Sequence, residues 1–300
     1  MVTEPFSPGF KRIVAEHAAL EKVAGGFTFT EGPVWNGREK YLAWTDIIGD
    51  AIWKWVSGQG TSLLMRPSGK ADGMTFDLEG RLVVAGWSNR TVWRLEPDGS
   101  TVTLASHYNG KRLNTPNDIV VKSDGFIYFT DPSNGIRNIG MEGEDVQKYI
   151  AYEGVYRLNP GDSSLTLLLE DMVNPNGLCF SPDESLLYIN DTPRRHIRVF
   201  NVGPDGAISN GRLFTELIHD DAGAPDGMKV DVEGNVYCTG PGGVWVMDSR
   251  GNPLGRILIP EHCANLTFGG EDLRTLFFTA RSSVYRMRMK IPGIPTYPRE

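Results

Sequence analysis

Asn117-Asp-Ile-Val-Val-Lys-Ser-Asp-Gly-Phe-Ile-Tyr-Phe-Thr-Asp131 decides the fold. Residues 118–122 read as a strand. Ser123-Asp124-Gly125 reads as a hairpin turn, because Asp-Gly supplies the positive φ that a tight turn needs. Residues 126–131 are the return strand. Residues 154–158 and 165–170 read as a third and fourth strand, so the unit is four short strands.

The opening of that unit recurs. Glu31-Gly-Pro-Val-Trp35, Asp72-Gly-Met-Thr-Phe76, Asn176-Gly-Leu-Cys-Phe180, Asp226-Gly-Met-Lys-Val230 and Asn265-Leu-Thr-Phe268 complete a set of six. The openings at 31, 72, 117, 176, 226 and 265 are separated by 41, 45, 59, 50 and 39 residues. A period near 40–45 residues with four strands per copy is the signature of a propeller blade. Turns at Asp77-Leu-Glu-Gly80, Ser181-Pro-Asp-Glu184, Asp231-Val-Glu-Gly234 and Gly269-Gly-Glu-Asp272 follow the first strands. Runs such as Ile52-Trp-Lys-Trp55, Val92-Trp-Arg-Leu95, Val244-Trp-Val-Met247 and Val284-Tyr-Arg-Met287 supply third strands. No helical period is sustained, and 35 glycines and 19 prolines suit short strands and tight turns.

The expected architecture is therefore all-β: a six-bladed β-propeller of four-stranded antiparallel blades around a central channel, forming a single domain over residues 1–300. The last copy ends after its third strand. Phe10-Lys-Arg-Ile-Val-Ala15 reads as a strand and is expected to supply the missing outer strand of blade six, closing the ring and covering an edge. Residues 132–153 interrupt blade three between its second and third strands. A connection this long is expected to be a lid over the axis.

Bulk composition excludes several classes. Thirty-seven acidic and 30 basic residues give a formal charge of −7, which disfavours nucleic acid and anionic membrane as partners. No run approaches the ~18 apolar residues of a membrane span. Met1-Val-Thr-Glu-Pro-Phe6 lacks the basic and apolar regions of a signal peptide. The three cysteines, Cys179, Cys238 and Cys263, lie in or beside apolar runs without CxxC spacing. They read as buried thiols of a cytoplasmic protein.

The first strand of each blade lines the channel of a propeller, so the six opening residues meet at one end of the axis. They are Glu31, Asp72, Asn117, Asn176, Asp226 and Asn265, all oxygen donors and three of them acids. Like charges 4 Å apart repel by about 1 kcal/mol in water and about 4 kcal/mol at an effective dielectric near 20. Acids gathered in a partly dry channel must be protonated or bind a cation. Oxygen donors without His or Cys suit Ca²⁺, Mg²⁺ or Mn²⁺ better than Zn²⁺.

These motifs resemble the SMP-30/gluconolactonase/luciferin-regenerating-enzyme family, in its bacterial gluconolactonase-like branch. The resemblance rests on Glu31-Gly-Pro-Val-Trp35, Lys111-Arg-Leu-Asn-Thr-Pro-Asn-Asp-Ile-Val-Val-Lys-Ser-Asp-Gly125, Phe129-Thr-Asp-Pro132, Asn174-Pro-Asn-Gly-Leu178, Phe180-Ser-Pro-Asp183, His196-Ile-Arg-Val-Phe200, Pro225-Asp-Gly227 and Phe268-Gly-Gly270. It implies one divalent cation on the axis, often Ca²⁺ or Zn²⁺, bound by Glu31, Asn176 and Asp226. Asn117 would bind it too, or hold the substrate or water beside it. It also implies hydrolysis of a small-molecule sugar lactone, with Asp226 as general base for the attacking water. Asp72, Arg112 and Trp87 are added as expected substrate contacts.

Two positions depart from the family. Animal members carry an Arg two residues before the blade-three Asn, where this chain has Thr115; Arg112 lies five residues before Asn117. Many bacterial members carry Cys-Glu-His after the second strand of blade two, where this chain reads Ala85-Gly-Trp87. Trp87 can stack on substrate or pack between blades. The five histidines lack a nucleophile partner, and there is no GxSxG. His262 stands closest to the channel mouth. Two rival readings remain: a non-catalytic propeller scaffold holding a structural cation, and an esterase or phosphotriesterase of the same family.

Overall fold

The computed structural model describes residues 2–297. Six antiparallel sheets surround one axis. Blade one comprises Thr30–Asn36, Tyr41–Asp46, Ala51–Val56 and Gly60–Met65. Blade three comprises Ile119–Val121, Ile127–Asp131, Glu153–Leu158 and Leu165–Met172, which match the strands read from the sequence. First strands touch in sequence from blade one to blade six, and that of blade six, Cys263–Gly269, returns to that of blade one. The ring is closed.

Six apolar clusters hold the blades together, one at each interface. Alternation along a strand divides its side chains between two neighbours. Leu42 and Trp44 pack against Phe277 and Val284 of blade six. Tyr41 and Ala43 pack against Met74, Val84 and Trp93 of blade two. Both faces of an inner strand are therefore buried, which explains why these runs are almost continuously apolar. Trp35, Trp55, Trp93 and Trp245 all lie in these interfaces.

The glycine after the opening residue has a steric cause. A Cβ at Gly177 would sit 2.2 Å from the Asp226 carbonyl oxygen of the next blade. The neighbouring first strand approaches too closely for a side chain. Second strands tether these carbonyls: Thr45 Oγ1 donates to Asp72 O at 3.1 Å, and Thr130 Oγ1 to Asn176 O at 2.8 Å.

The N-terminus does close blade six, but with a different segment from the expected one. Leu20–Gly25 is the outer strand, paired antiparallel with Ser283–Arg288. A bulge between Lys22 and Ala24 breaks its period of two, which hid it in the sequence. The expected strand at 10–15 is instead the short helix Phe10–Ile13. Phe10 and Ile13 are three apart, share one helix face, and are buried between blades five and six. Thr3–Pro5 adds an unexpected fifth strand to blade five, on Pro253–Leu258.

At one end of the channel the C-terminal segment crosses the axis. Ile294, Pro295, Thr296 and Tyr297 line an apolar pocket with first-strand residues such as Val34, Val121, Phe180 and Phe268. The other end is open and carries the opening residues. Among the described residues, no helix is long and apolar enough to cross a membrane.

Candidate active site in the axial channel

Local backbone irregularity aims the opening side chains. The ladder shifts register between Glu31 and Val34 in blade one, between Pro175 and Leu178 in blade four, and between Cys263 and Asn265 in blade six. Such bulges turn a side chain out of the pleat. In blades two, three and five the residue stands just ahead of the first strand.

Glu31, Asp72, Asn117, Asn176 and Asp226, one from each of five blades, line a single cleft of about 400 Å³. Glu31, Asp72, Asn117 and Asn176 are each less than one-tenth exposed. Phe29, Ile47, Trp87 and Thr192 complete the floor and walls, with Asn134, Asn138, Ile139 and Met141 from the blade-three insertion. A volume of this size accommodates a small molecule. The insertion thus walls the site.

Hydrogen bonds sort the ring into roles. Glu31 Oε2 accepts from Gly32 N–H at 2.5 Å and from Asn265 Nδ2 at 2.8 Å, leaving Oε1 without a protein partner among the described residues. Asn265 Oδ1 accepts from Leu266 N–H at 2.8 Å, so both ends of this carboxamide serve the protein. Asn265 positions Glu31. Asn117 Nδ2 donates to Asp72 Oδ2 at 2.7 Å, and its own oxygen has no protein partner among the described residues. The Asn176 carboxamide lies beside Asp226 and opposes the rise in its proton affinity.

The acids repel one another in a poorly solvated space. Burial pushes Glu31 up to about 7, against its bonds from Gly32 and Asn265 and helped by the charge of Asp118. Burial likewise drives Asp72 well above the carboxylate range, with Glu31, Asp226 and Asp118 adding to it. Asp226 is raised in the same way, by burial and then by Glu31. Without a counter-charge the ring holds protons.

A divalent cation fits this donor set. Among the described residues, no three His, Cys, Asp or Glu side chains form a cage by themselves. Two carboxylates, Glu31 and Asp226, with the carboxamide oxygens of Asn117 and Asn176, make a mixed oxygen set suited to a hard ion. The orphaned oxygens of Glu31 and Asn117 give it specific attachment points.

One sequence expectation changes. Arg112 lies outside this cleft. It lines a neighbouring one with Lys70, Ser88 and Asn89, where it donates to Asp145 Oδ2 at 2.7 Å and to Asn89 O at 3.2 Å. The hairpin bearing it, His107–Tyr108 with Lys111–Arg112, leans on the insertion and not on the axis. Trp87 does line the cleft, yet it is only 5% exposed and packs under the insertion. His262 is one layer back, its ring 6.4 Å from that of Phe29.

Sequence reasoning missed two charged channel residues. Asp118 is 3% exposed, accepts from Ile119 N–H at 2.9 Å, and is raised by burial. It stands where four other copies carry Gly, a departure that could have marked it. Lys229 supplies positive charge that opposes the rise at Glu31 and Asp118. The insertion residues had no repeat to reveal them.

Comparison with known proteins bears on this site. Residues 29–282 match the model of the SMP-30/Gluconolactonase/LRE-like region. A gluconolactonase of Zymomonas mobilis is 32% identical, over 96% of this chain and 86% of its own length. A solved gluconolactonase of Xanthomonas campestris superposes with a TM-score of 0.89 at 33% identity, covering 96% of this chain and 95% of that one. An L-arabinolactonase of Azospirillum brasilense is 30% identical over 70% of this chain and 66% of its own.

Proposed function

The chain belongs to the SMP-30/gluconolactonase/LRE-like family, and we propose that it is a divalent-metal-dependent hydrolase that opens a sugar lactone in the axial cleft. That it is a lactonase rests on its relatives, among them a gluconolactonase and an L-arabinolactonase. One observation carries the metal and the mechanism: five oxygen-bearing side chains from five blades line one cleft whose acids raise one another's proton affinity.

Glu31, Asn117, Asn176 and Asp226 would hold the cation. Ca²⁺ suits the oxygen set best, with Mg²⁺, Mn²⁺ and Zn²⁺ as alternatives. When bound, such an ion supplies Lewis-acid polarisation of a carbonyl and offsets developing negative charge. Asp226 takes a proton from water as the water oxygen bonds to the carbonyl carbon. The ring C–O bond then breaks as the ring oxygen takes up the proton held by Asp226, and the product is the open hydroxy acid. Asn117, anchored by Asp72, orients the substrate.

Three buried thiols without a disulfide fit a cytoplasmic location, which forms part of this reading. The ring and its insertion are proposed to act as a single domain. The test is a panel of aldonolactones followed by pH-stat, with simple aryl esters and phosphotriesters as controls. Acid release from one or more lactones above the uncatalysed rate supports the reading. Turnover of the control esters alone contradicts it.

A further inference from the structure

The blade-three insertion is held in place by its backbone. Lys70 Nζ donates to Gly140 O at 3.0 Å and to Glu142 O at 2.9 Å. Ser88 Oγ donates to Met141 O. Arg90, only 1% exposed, donates to Asp145 O at 3.1 Å and Gln147 O at 2.8 Å, and its guanidinium stacks over Tyr149. Gly135 lies directly on Trp87: a Cβ there would come within 2.3 Å of the indole Nε1. Bonds to carbonyls fix where the segment runs without engaging the side chains of Asn134, Asn138 and Ile139.

Those side chains face the site. Asn134 and Asn138 are four apart, flank one helical turn, and line the cleft opposite the ring of acids. Both are exposed, and neither carboxamide has a hydrogen-bond partner among the described residues. Ile139, beside them in the cleft lining, is 94% exposed. An unpartnered pair of carboxamides beside an exposed aliphatic side chain is the chemistry that recognises a polyhydroxylated ring: each amide can both donate to and accept from a hydroxyl, and the aliphatic surface covers C–H faces.

We infer that Asn134 and Asn138 form a hydroxyl-reading subsite, which makes the preferred substrate a ring lactone bearing several free hydroxyls, with Ile139 covering its outer face. The inference deepens the lactonase reading and rests on it for the identity of the reacting group, but the hydroxyl contacts exist with or without turnover.

Two measurements decide it. The first is binding of 1,5-anhydroglucitol, a ring polyol without a carbonyl, to wild type, Asn134→Ala, Asn138→Ala and the double variant, by ligand-detected NMR with tetrahydropyran as the hydroxyl-free control. Wild type binds the polyol and not the control, each single variant weakens binding about tenfold, and the double variant abolishes it. The second is turnover of an aldonolactone against δ-valerolactone. The variants raise KM for the aldonolactone with kcat nearly kept, and change KM for δ-valerolactone far less. Polyol binding that the double variant does not weaken, or no polyol binding by wild type, overturns the subsite. Asparagine-dependent polyol binding without any lactone turnover keeps the subsite and removes the lactonase.

Discussion

Asn117 of blade three donates its side-chain N–H to Asp72 Oδ2 of blade two at 2.7 Å, so one member of the axial ring orients another. The bond directs the Asn117 oxygen into the cleft. Asp72→Ala removes that anchor without removing a proposed cation ligand. Its expected effect is a several-fold rise in KM with a smaller change in kcat, read by steady-state kinetics on the best lactone. Asp72→Asn retains an acceptor oxygen and should fall between the two. A collapse of kcat with KM unchanged would place Asp72 in the chemistry itself.

Asp226 carries two proposed duties, ligand and base. Asp226→Ala should lower kcat/KM by about 10²–10⁴ while the protein keeps its circular dichroism and cooperative melting. Undiminished turnover in this variant would refute both duties.

The acids give the metal-free protein a pH signature. Glu31 has a folded value of about 7 against an ordinary 4.5, so the folded state binds its proton more tightly than the unfolded state does. Its contribution is favourable to folding at low pH and is lost as pH rises from 4.5 to about 7. Asp72 and Asp226, raised in the same direction, extend the loss upward. Tm of chelated protein should therefore fall as pH rises through this window. Added Ca²⁺ should reverse the fall at the upper end, because the proposed cation would bind the deprotonated ring; a ligand at a hundred times its Kd contributes about 2.7 kcal/mol. A Tm that is flat with pH, or insensitive to cations at pH 8, would contradict the electrostatic account.

Arg90 pins the insertion from a nearly fully buried position. Arg90→Met should release residues 132–152 to limited proteolysis. It should also raise KM for lactones, since the cleft loses a fixed wall. Leaving a buried carbonyl partner unsatisfied costs about 1–3 kcal/mol, visible as a lowered Tm. Protease resistance equal to wild type would show that the clamp is redundant.

Closure of the ring can be tested apart from the site. Phe10→Ala empties a buried position between blades five and six and should cost about 3–5 kcal/mol in chemical denaturation. Glu21→Ala removes an exposed 2.8 Å ion pair with Arg286 in the closing strand and should cost under about 1 kcal/mol. Equal costs for the two would argue that the helix Phe10–Ile13 contributes little to closure.

The repeat made most of this architecture legible. Asn117-Asp-Ile-Val-Val with its Ser-Asp-Gly turn fixed a hairpin locally, and five further copies fixed the ring, because a blade buries its faces only against other blades. All six opening residues were expected at one end of the axis, since the same slot in each blade faces it, and five of them line one cleft. Features outside the period were not legible. The bulge between Lys22 and Ala24 disguised the closing strand, and the i,i+3 pair Phe10 and Ile13 mimicked one. Arg112 lay near Asn117 in sequence, yet its hairpin carries it to Asp145. Asn134 and Asn138 belong to an insertion without internal symmetry, so only tertiary packing reveals where they face.

The most direct test of the central claim is a titration of chelator-stripped protein with Ca²⁺, with turnover of an aldonolactone followed by pH-stat and bound metal counted by elemental analysis. The account predicts negligible turnover in the stripped protein, recovery that saturates at one ion per chain, and loss of both ion and activity in Glu31→Gln. Full turnover by protein shown to be metal-free would contradict it.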